Sequence, residues 1–241
     1  SAMSISEEVP WAPPTKSTAD ITVRRAAIFD LDRTLIAGSS AQVFGQMLND
    51  VGIEVPAPPG RSVYFGLYAR FGEDPITMRL ARHAARLFAG ERVRSVEAAG
   101  RMAADVLAST VLDAASRELQ RHRSDHTKLL LATTAPHELA APFCEALGFD
   151  DLVCTRYASV NGRYDGTNET PYLWGAAKAA AVLGWAADKQ VDLTQSSAYS
   201  DSWYDVPLLE IVGQPVAVNP DLRLRLTARS RRWPTRQWQH D

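Results

Sequence analysis

Cysteine is nearly missing from the 241 residues: only Cys144 and Cys154 occur, and their separation is not that of metal ligands. With no third or fourth cysteine to complete a zinc site or a disulfide framework, the pair reads as two small buried hydrophobes in a reducing compartment. Among the five histidines only His122 and His126 stand at HxxxH spacing, and with no cysteine pair or further histidine beside them they are a weak basis for a zinc site. No run reaches the ~18 apolar residues of a membrane-spanning helix. The first twenty residues are polar, carry Pro10, Pro13 and Pro14, and lack the apolar stretch of a secretory signal. Ser1 and Ala2 ahead of Met3 read as the remnant of a removed tag, and the expected location is the cytoplasm. Excess charge of one sign is missing as well. Lys and Arg number 26 against 28 Asp and Glu, a net −2, so nothing in the balance points to nucleic acid as a partner. There is no internal repeat.

What is present is an ordinary soluble composition, 46% hydrophobic and 22% charged, with enough chain for a core domain plus an inserted smaller one. Residues 1–21 read as a tail, with Trp11 as a possible pin. From Ile21 the chain turns apolar and β-branched and ends at Asp30, the pattern of a strand buried in a parallel sheet. Residues 41–124 are expected to be helical throughout. Ala41 to Leu48 opens the block, and Pro56, Pro58, Pro59 and Gly60 break it. Asp74 before Pro75 restarts it as a cap and a first-turn proline. Leu80, Ala84 and Leu87 share one face, and Val96, Ala99, Ala103, Val106 and Leu107 keep helical spacing further on.

After this block the sequence alternates. Thr127 to Thr133 is a second buried strand, His137 to Leu147 a helix, and Asp151 to Thr155 a third strand. Asn161-Gly162 marks a hairpin within Tyr157 to Tyr164. A helix over Pro171 to Trp185, a strand over Ser197 to Ser200, a helix over Trp203 to Val212 and a strand over Pro215 to Asn219 follow. Asp221 then caps a basic C-terminal helix. Strands alternating with helices give right-handed βαβ units. The expected fold is α/β: a doubly wound, Rossmann-like parallel sheet over 22–40 and 125–241, interrupted by a helical insert over 41–124.

In open parallel sheets ligands sit beyond the carboxyl ends of the strands. Three expected strand ends carry polar groups: Asp30-Leu31-Asp32-Arg33-Thr34, Thr133-Thr134, and Ser200-Asp201 with Asp205 one turn on. Lys178 lies on the helix between the last two. Four carboxylates, two hydroxyls and a cation then converge on one edge.

These stretches resemble the haloacid dehalogenase-like superfamily, in its phosphoserine-phosphatase-like branch. FDLDRT is similar to that family's DxDxT motif, and LLLATTAP to its apolar run ending in Ser or Thr. Lys178 matches its lysine, and YSDSWYDVPLL its pair of acids four apart. The resemblance covers the core, whereas the insert matches only in position and helicity. It implies a magnesium-dependent phosphomonoester hydrolase acting on a small or amphiphilic organic phosphate. Asp30 would be the nucleophile that forms an aspartyl-phosphate, and Asp32 the general acid and base. Thr133 and Lys178 would bind phosphoryl oxygens, with Arg33 peripheral to them. The metal would be held by the Asp30 carboxylate, the Asp32 backbone carbonyl and the Asp201 carboxylate. Asp205 would steady the site or Lys178, and Thr34 would buttress the loop.

In this family an insert after the first motif is a cap over the site. Phosphoserine phosphatases of this branch carry a glutamate nine residues after the nucleophile. Ser39 stands there, which argues against phosphoserine. Tyr64, Phe65, Leu67, Tyr68 and Phe71 read as cap packing or as a hydrophobic wall for a lysophospholipid-type phosphate. Arg70, Arg79 and Arg82 read as solvated or as contacts for an anionic head group. The basic C-terminal stretch (Arg223, Arg225, Arg229, Arg231, Arg232 and Arg236, with Trp233 and Trp238) reads as a helix and strap. Weak contact with an anionic membrane surface is its alternative. Two other functional readings stay open: transfer from the same aspartyl-phosphate to an acceptor other than water, and a non-catalytic, receiver-like phosphate sensor.

Overall fold

The computed structural model describes residues 24–54 and 83–239. The tail with Trp11, the prolines from Pro56 to Pro59, the aromatic stretch Tyr64 to Phe71, the Asp74-Pro75 helix start, Leu80 and Arg70, Arg79 and Arg82 lie outside them.

Six strands form one sheet in the order β3-β2-β1-β6-β7-β8. They are β1 (Ala26–Phe29), β2 (Lys128–Pro136), β3 (Asp151–Thr155), β6 (Ser197–Ser200), β7 (Gln214–Val218) and β8 (Thr235–Arg236). Every pairing is parallel. β4 (Tyr157–Val160) and β5 (Arg163–Asn168) make a separate antiparallel hairpin. Its turn is Asn161-Gly162, both at positive φ (52° and 75°), the conformation such a two-residue loop needs.

The central strands β1 and β2 are buried on both faces, so their residues sort by alternation. Ala27, Phe29, Leu129 and Leu131 face one apolar cluster, with Phe44, Val96, Ala103, Leu119 and Phe143. Ala26, Ile28, Leu130 and Ala132 face the other, with Val182, Leu209 and Leu224. The first layer is built by α1 (Ser40–Asp50), α2 (Val93–Ala108), α3 (Asp113–Ser124) and α4 (His137–Ala146). The second is built by α5 (Ala176–Lys189), α6 (Val206–Glu210) and α7 (Leu222–Arg231). The fold is thus the doubly wound α/β sandwich expected from the alternation. The chain winds from β1 through β2 to β3 in one direction and resumes at β6 on the other side. The switch point therefore falls between the carboxyl ends of β1 and β6.

Several details differ from the sequence reading. The helix expected from Pro171 starts only at Ala176, because Gly175 sits at φ 58°, ψ −128°, a conformation open mainly to glycine. The helix expected over Trp203 to Val212 is a 3-10 turn, Trp203–Asp205, followed by the short α6. Ala84–Phe88 is a 3-10 helix that buries Ala85 and Phe88 and leaves Leu87 exposed. Val106 is exposed as well, while Val96, Ala99, Ala103 and Leu107 are buried as their spacing requires. β8 falls in a stretch read only as a strap. Among the described residues of 41–124 no named strand occurs, only isolated bridges, Ile36 to Val111 and Arg92 to Arg163.

The tryptophans of the C-terminal stretch are partly buried. Trp233 packs on the second cluster and Trp238 on the first, stacked on Tyr199 at 5.4 Å. Arg223 lies over the Trp203 ring, and Arg231 pairs with Glu210. Cys144 and Cys154 are buried and form no disulfide; burial pushes their thiols up to about 11 and about 12. Among the described residues no helix is long and apolar enough to cross a membrane.

Candidate active site

The ends of β1 and β6 lie side by side because the strands pair in register, Phe29 opposite Tyr199. The Asp30 N–H extends that ladder to the Tyr199 carbonyl at 3.0 Å. Asp30 and Asp201, each the residue after its strand, therefore leave the sheet from neighbouring positions. Both are buried, with Lys178, Thr133 and Asp205.

Lys178 joins the groups. It sits in the first turn of α5, and its ammonium lies 2.9 Å from Asp30 Oδ1 and 2.9 Å from Asp205 Oδ2. The same Asp205 oxygen accepts the Ser200 hydroxyl at 2.7 Å. A buried lysine is costly unless its charge is matched, and here two carboxylates face it. Burial pushes the Asp30 carboxyl up to about 8. Lys178 opposes the shift, and the Asp205 and Asp32 charges add to it.

The loop after β1 is held by backbone groups. Leu35 and Ile36 N–H both donate to the Leu31 carbonyl, and the Arg33 N–H donates to Gly38 at 3.3 Å. Arg33 is in the left-handed region, φ 57°, which costs an L-residue ~1–2 kcal/mol. Its carbonyl accepts the Asn219 amide at 3.3 Å, and its guanidinium meets Asp201 Oδ2 at 2.9 Å. Asp32 Oδ1 accepts the Ser40 N–H at 2.7 Å, tying the loop to the start of α1. Burial raises the Asp32 carboxyl, while the Ser40 hydrogen bonds and Lys178 pull it back.

Thr133 is buried within β2, which runs three residues beyond the expected end at Thr133 to Pro136, and its Oγ1 accepts the Ala135 N–H at 3.1 Å. Thr134 is half-buried and lines a cavity together with Asp32. Thr34 is fully buried, and its hydroxyl has no hydrogen-bond partner. Its contribution there is packing.

Sequence reasoning assigned no role to three supports. Ser200 holds Asp205. Asn219, at φ 44°, carries the Arg33 carbonyl and fastens Trp238 through both its amide groups. Asp221, read only as a cap, caps α7 through Leu224 N–H at 2.7 Å. It also donates its own N–H to the Asp201 carbonyl and accepts the Trp203 N–H. Asn219 and Asp221 stand just after a strand end, where such residues are usual, so the sequence offers no signal that separates these jobs from ordinary turns.

The donor set suits a hard cation. Asp30, Asp201 and the Asp32 main chain offer only oxygens, from neighbouring strand ends. Among the described residues no group of three or more His, Cys, Asp or Glu side chains could hold a metal. Magnesium asks for less than that, since it commonly takes one or two carboxylates and completes its shell with water and phosphate oxygens.

The haloacid dehalogenase-like hydrolase model matches residues 27–210. The chain belongs to that family. It is 36% identical over 219 residues to the "Inhibition of morphological differentiation protein" of Streptomyces azureus, covering 88% of this chain and 77% of that one. It is 35% identical over 234 residues to "Phosphoserine phosphatase SerB1" of Mycobacterium tuberculosis, covering 94% and 73%. A solved structure of a protein of unknown function from Bordetella pertussis Tohama I superposes with a TM-score of 0.72 at 29% identity, covering 89% and 98%. Within the haloacid dehalogenase-like hydrolases the chain is thus phosphoserine-phosphatase-like, and the family typically works with magnesium.

Proposed function

We propose that this hydrolase is a magnesium-dependent phosphomonoesterase that works through an aspartyl-phosphate on Asp30. The observation that carries the reading is the bridge from Lys178 to both Asp30 and Asp205 beside Asp201. It supports the reading because a buried carboxylate, a fixed cation and a further carboxylate meet at one switch point.

In the first half-reaction an Asp30 carboxylate oxygen bonds to phosphorus. The bond from phosphorus to the ester oxygen breaks, and Asp32 gives that oxygen its proton. In the second, Asp32 takes a proton from water as the water oxygen bonds to phosphorus and the Asp30 oxygen leaves. Lys178 and Thr133 hold phosphoryl oxygens. Asp205 and Ser200 keep Lys178 in place. Asp30, Asp201 and the Asp32 carbonyl would hold magnesium, which supplies charge neutralisation between the two anions and favours the ionised form of Asp30. A general acid and base of this kind contributes ~10²–10⁴-fold.

A cap formed from the insert that follows α1 fits this reading by excluding water. The described helices α2 and α3 share the cluster of Phe29 and Leu131. That packing favours a cap boundary near residue 90 rather than at residue 124. The test is phosphate release from p-nitrophenyl phosphate and a panel of natural monoesters. Turnover is expected with magnesium and not with EDTA; full activity in EDTA would remove the metal from the account.

A further inference from the structure

Beside Asp32 lies a cavity of about 200 Å³ that the chemistry above leaves unused. Asp32, Ser40 and Thr134 supply polar groups to its lining. Most of the rest is apolar or aromatic. Phe44 and Leu48 come from α1, Phe88 from the 3-10 turn, Leu139 from α4, Tyr157 from β4, and Ile53 from the loop after α1. Phe44 and Phe88 stack at 6.4 Å, and Phe88 meets Tyr157 at 5.2 Å, so aromatic rings form one continuous wall. Among the described lining residues the charged ones are Asp32 and Glu54, both acidic, and Glu54 is exposed.

We propose that this cavity holds the alcohol side of the substrate, and that the leaving group is a short apolar alkyl or aryl group. The proposal rests on the phosphomonoesterase reading, because Asp32 is both the proposed donor to the leaving oxygen and part of the cavity wall. A group attached to that oxygen would lie beside the cavity that Asp32 lines. Ligand sites commonly run to ~300–1,000 Å³, so this one is sized for a few carbons or one ring. The leaving group of phosphoserine carries a carboxylate and an ammonium. No cation among the described lining residues would meet the carboxylate, and the aromatic wall would strip both charges of water. Ser39, in place of a glutamate, takes away a partner for the ammonium.

The test is a homologous series of methyl, ethyl, propyl and butyl phosphates, assayed with the whole chain and magnesium beside p-nitrophenyl phosphate and phosphoserine. Burial of each methylene is expected to raise kcat/KM about fourfold (~0.8 kcal/mol), with phosphoserine below propyl phosphate. A flat series with p-nitrophenyl phosphate still turned over, or phosphoserine above butyl phosphate, would overturn the proposal and leave the phosphomonoesterase reading standing. No turnover of any monoester would overturn both. In Phe44→Ser the butyl-to-methyl ratio should collapse toward one, and a ratio unchanged from the parent counts against the cavity. If that variant does not fold, the parent series decides alone.

Discussion

Arg33 is paired with Asp201 at 2.9 Å in a nearly buried contact, so a side chain of the nucleophile loop neutralises a carboxylate proposed to bind the metal. A divalent cation held by Asp201 would compete with the guanidinium for that carboxylate. Arg33→Asn removes the charge while tolerating the left-handed backbone. In EDTA it should lose on the order of 3 kcal/mol, the cost of taking one partner from a buried ion pair, which is several degrees of Tm. Magnesium should then raise its Tm more than it raises that of the parent. Equal magnesium shifts in calorimetry would show that Arg33 and the ion do not share Asp201.

Lys178 has the same logic with two partners. Lys178→Met leaves Asp30 and Asp205 facing each other in a buried site. We expect a loss of ~3–5 kcal/mol in urea unfolding, and no measurable turnover. Lys178→Arg should not restore activity, because a planar fork cannot reproduce two 2.9 Å contacts made by one ammonium.

Away from the site, α2 and α4 touch through Gly100. A Cβ there would lie 1.9 Å from the Glu138 carbonyl oxygen, a backbone atom that cannot turn aside. Gly100→Ala should cost ~1–3 kcal/mol through forced separation of the helices, with kcat retained in the folded fraction. A neutral result in thermal unfolding would mean that the two helices slide apart freely.

His122 gives a pH signature separate from catalysis. It is buried against Phe29 and Tyr199, with its Nε2 2.8 Å from the Tyr199 hydroxyl. Burial and Arg121 lower it to about 4, against the pull of Glu118. The ring is therefore neutral at pH 7. Its 3.5 Å approach to Glu118 is not an ion pair there. A lowered histidine contributes stability that is present above its ordinary 6.5 and lost as pH falls through about 4. Asp30 acts in the opposite sense, its contribution falling as pH rises from 3.8 through about 8. The two windows overlap, so the useful quantity is a difference. Between pH 6.5 and 4 the parent should lose more stability than His122→Phe, and parallel curves would refute the assignment.

Much of this site was legible in the sequence because its chemistry sits at strand ends. A buried apolar run must stop somewhere, and Asp30 and Asp201 mark two of the stops, whereas β2 runs past Thr133 to Pro136. The doubly wound parallel sheet and the Asn161-Gly162 turn followed from alternation and turn chemistry in the same way. What stayed hidden depends on contacts between distant segments. Nothing near Arg33 announces that its guanidinium will lie on Asp201. Asn219 looks like a strand-end turn and not a clamp on residue 33. The cavity beside Asp32 is assembled from α1, a 3-10 turn, α4 and β4, and no single stretch displays it. Short elements were also misread. Trp203–Asp205 has helical spacing but only enough length for a 3-10 turn, and Thr235–Arg236 becomes a strand only because β7 offers it an edge.

The central claim is that Asp30 carries the phosphoryl group and Asp32 moves the proton. Rapid acid quench with labelled p-nitrophenyl phosphate and magnesium tests it most directly. In Asp32→Asn, whose amide oxygen can still accept the Ser40 N–H, label should accumulate on the protein as a hydroxylamine-labile acyl phosphate while turnover falls ~10²–10⁴-fold. Asp30→Asn should take up none and release no phosphate. Label on the Asp30→Asn protein, or phosphate release at the parent rate, would contradict the account.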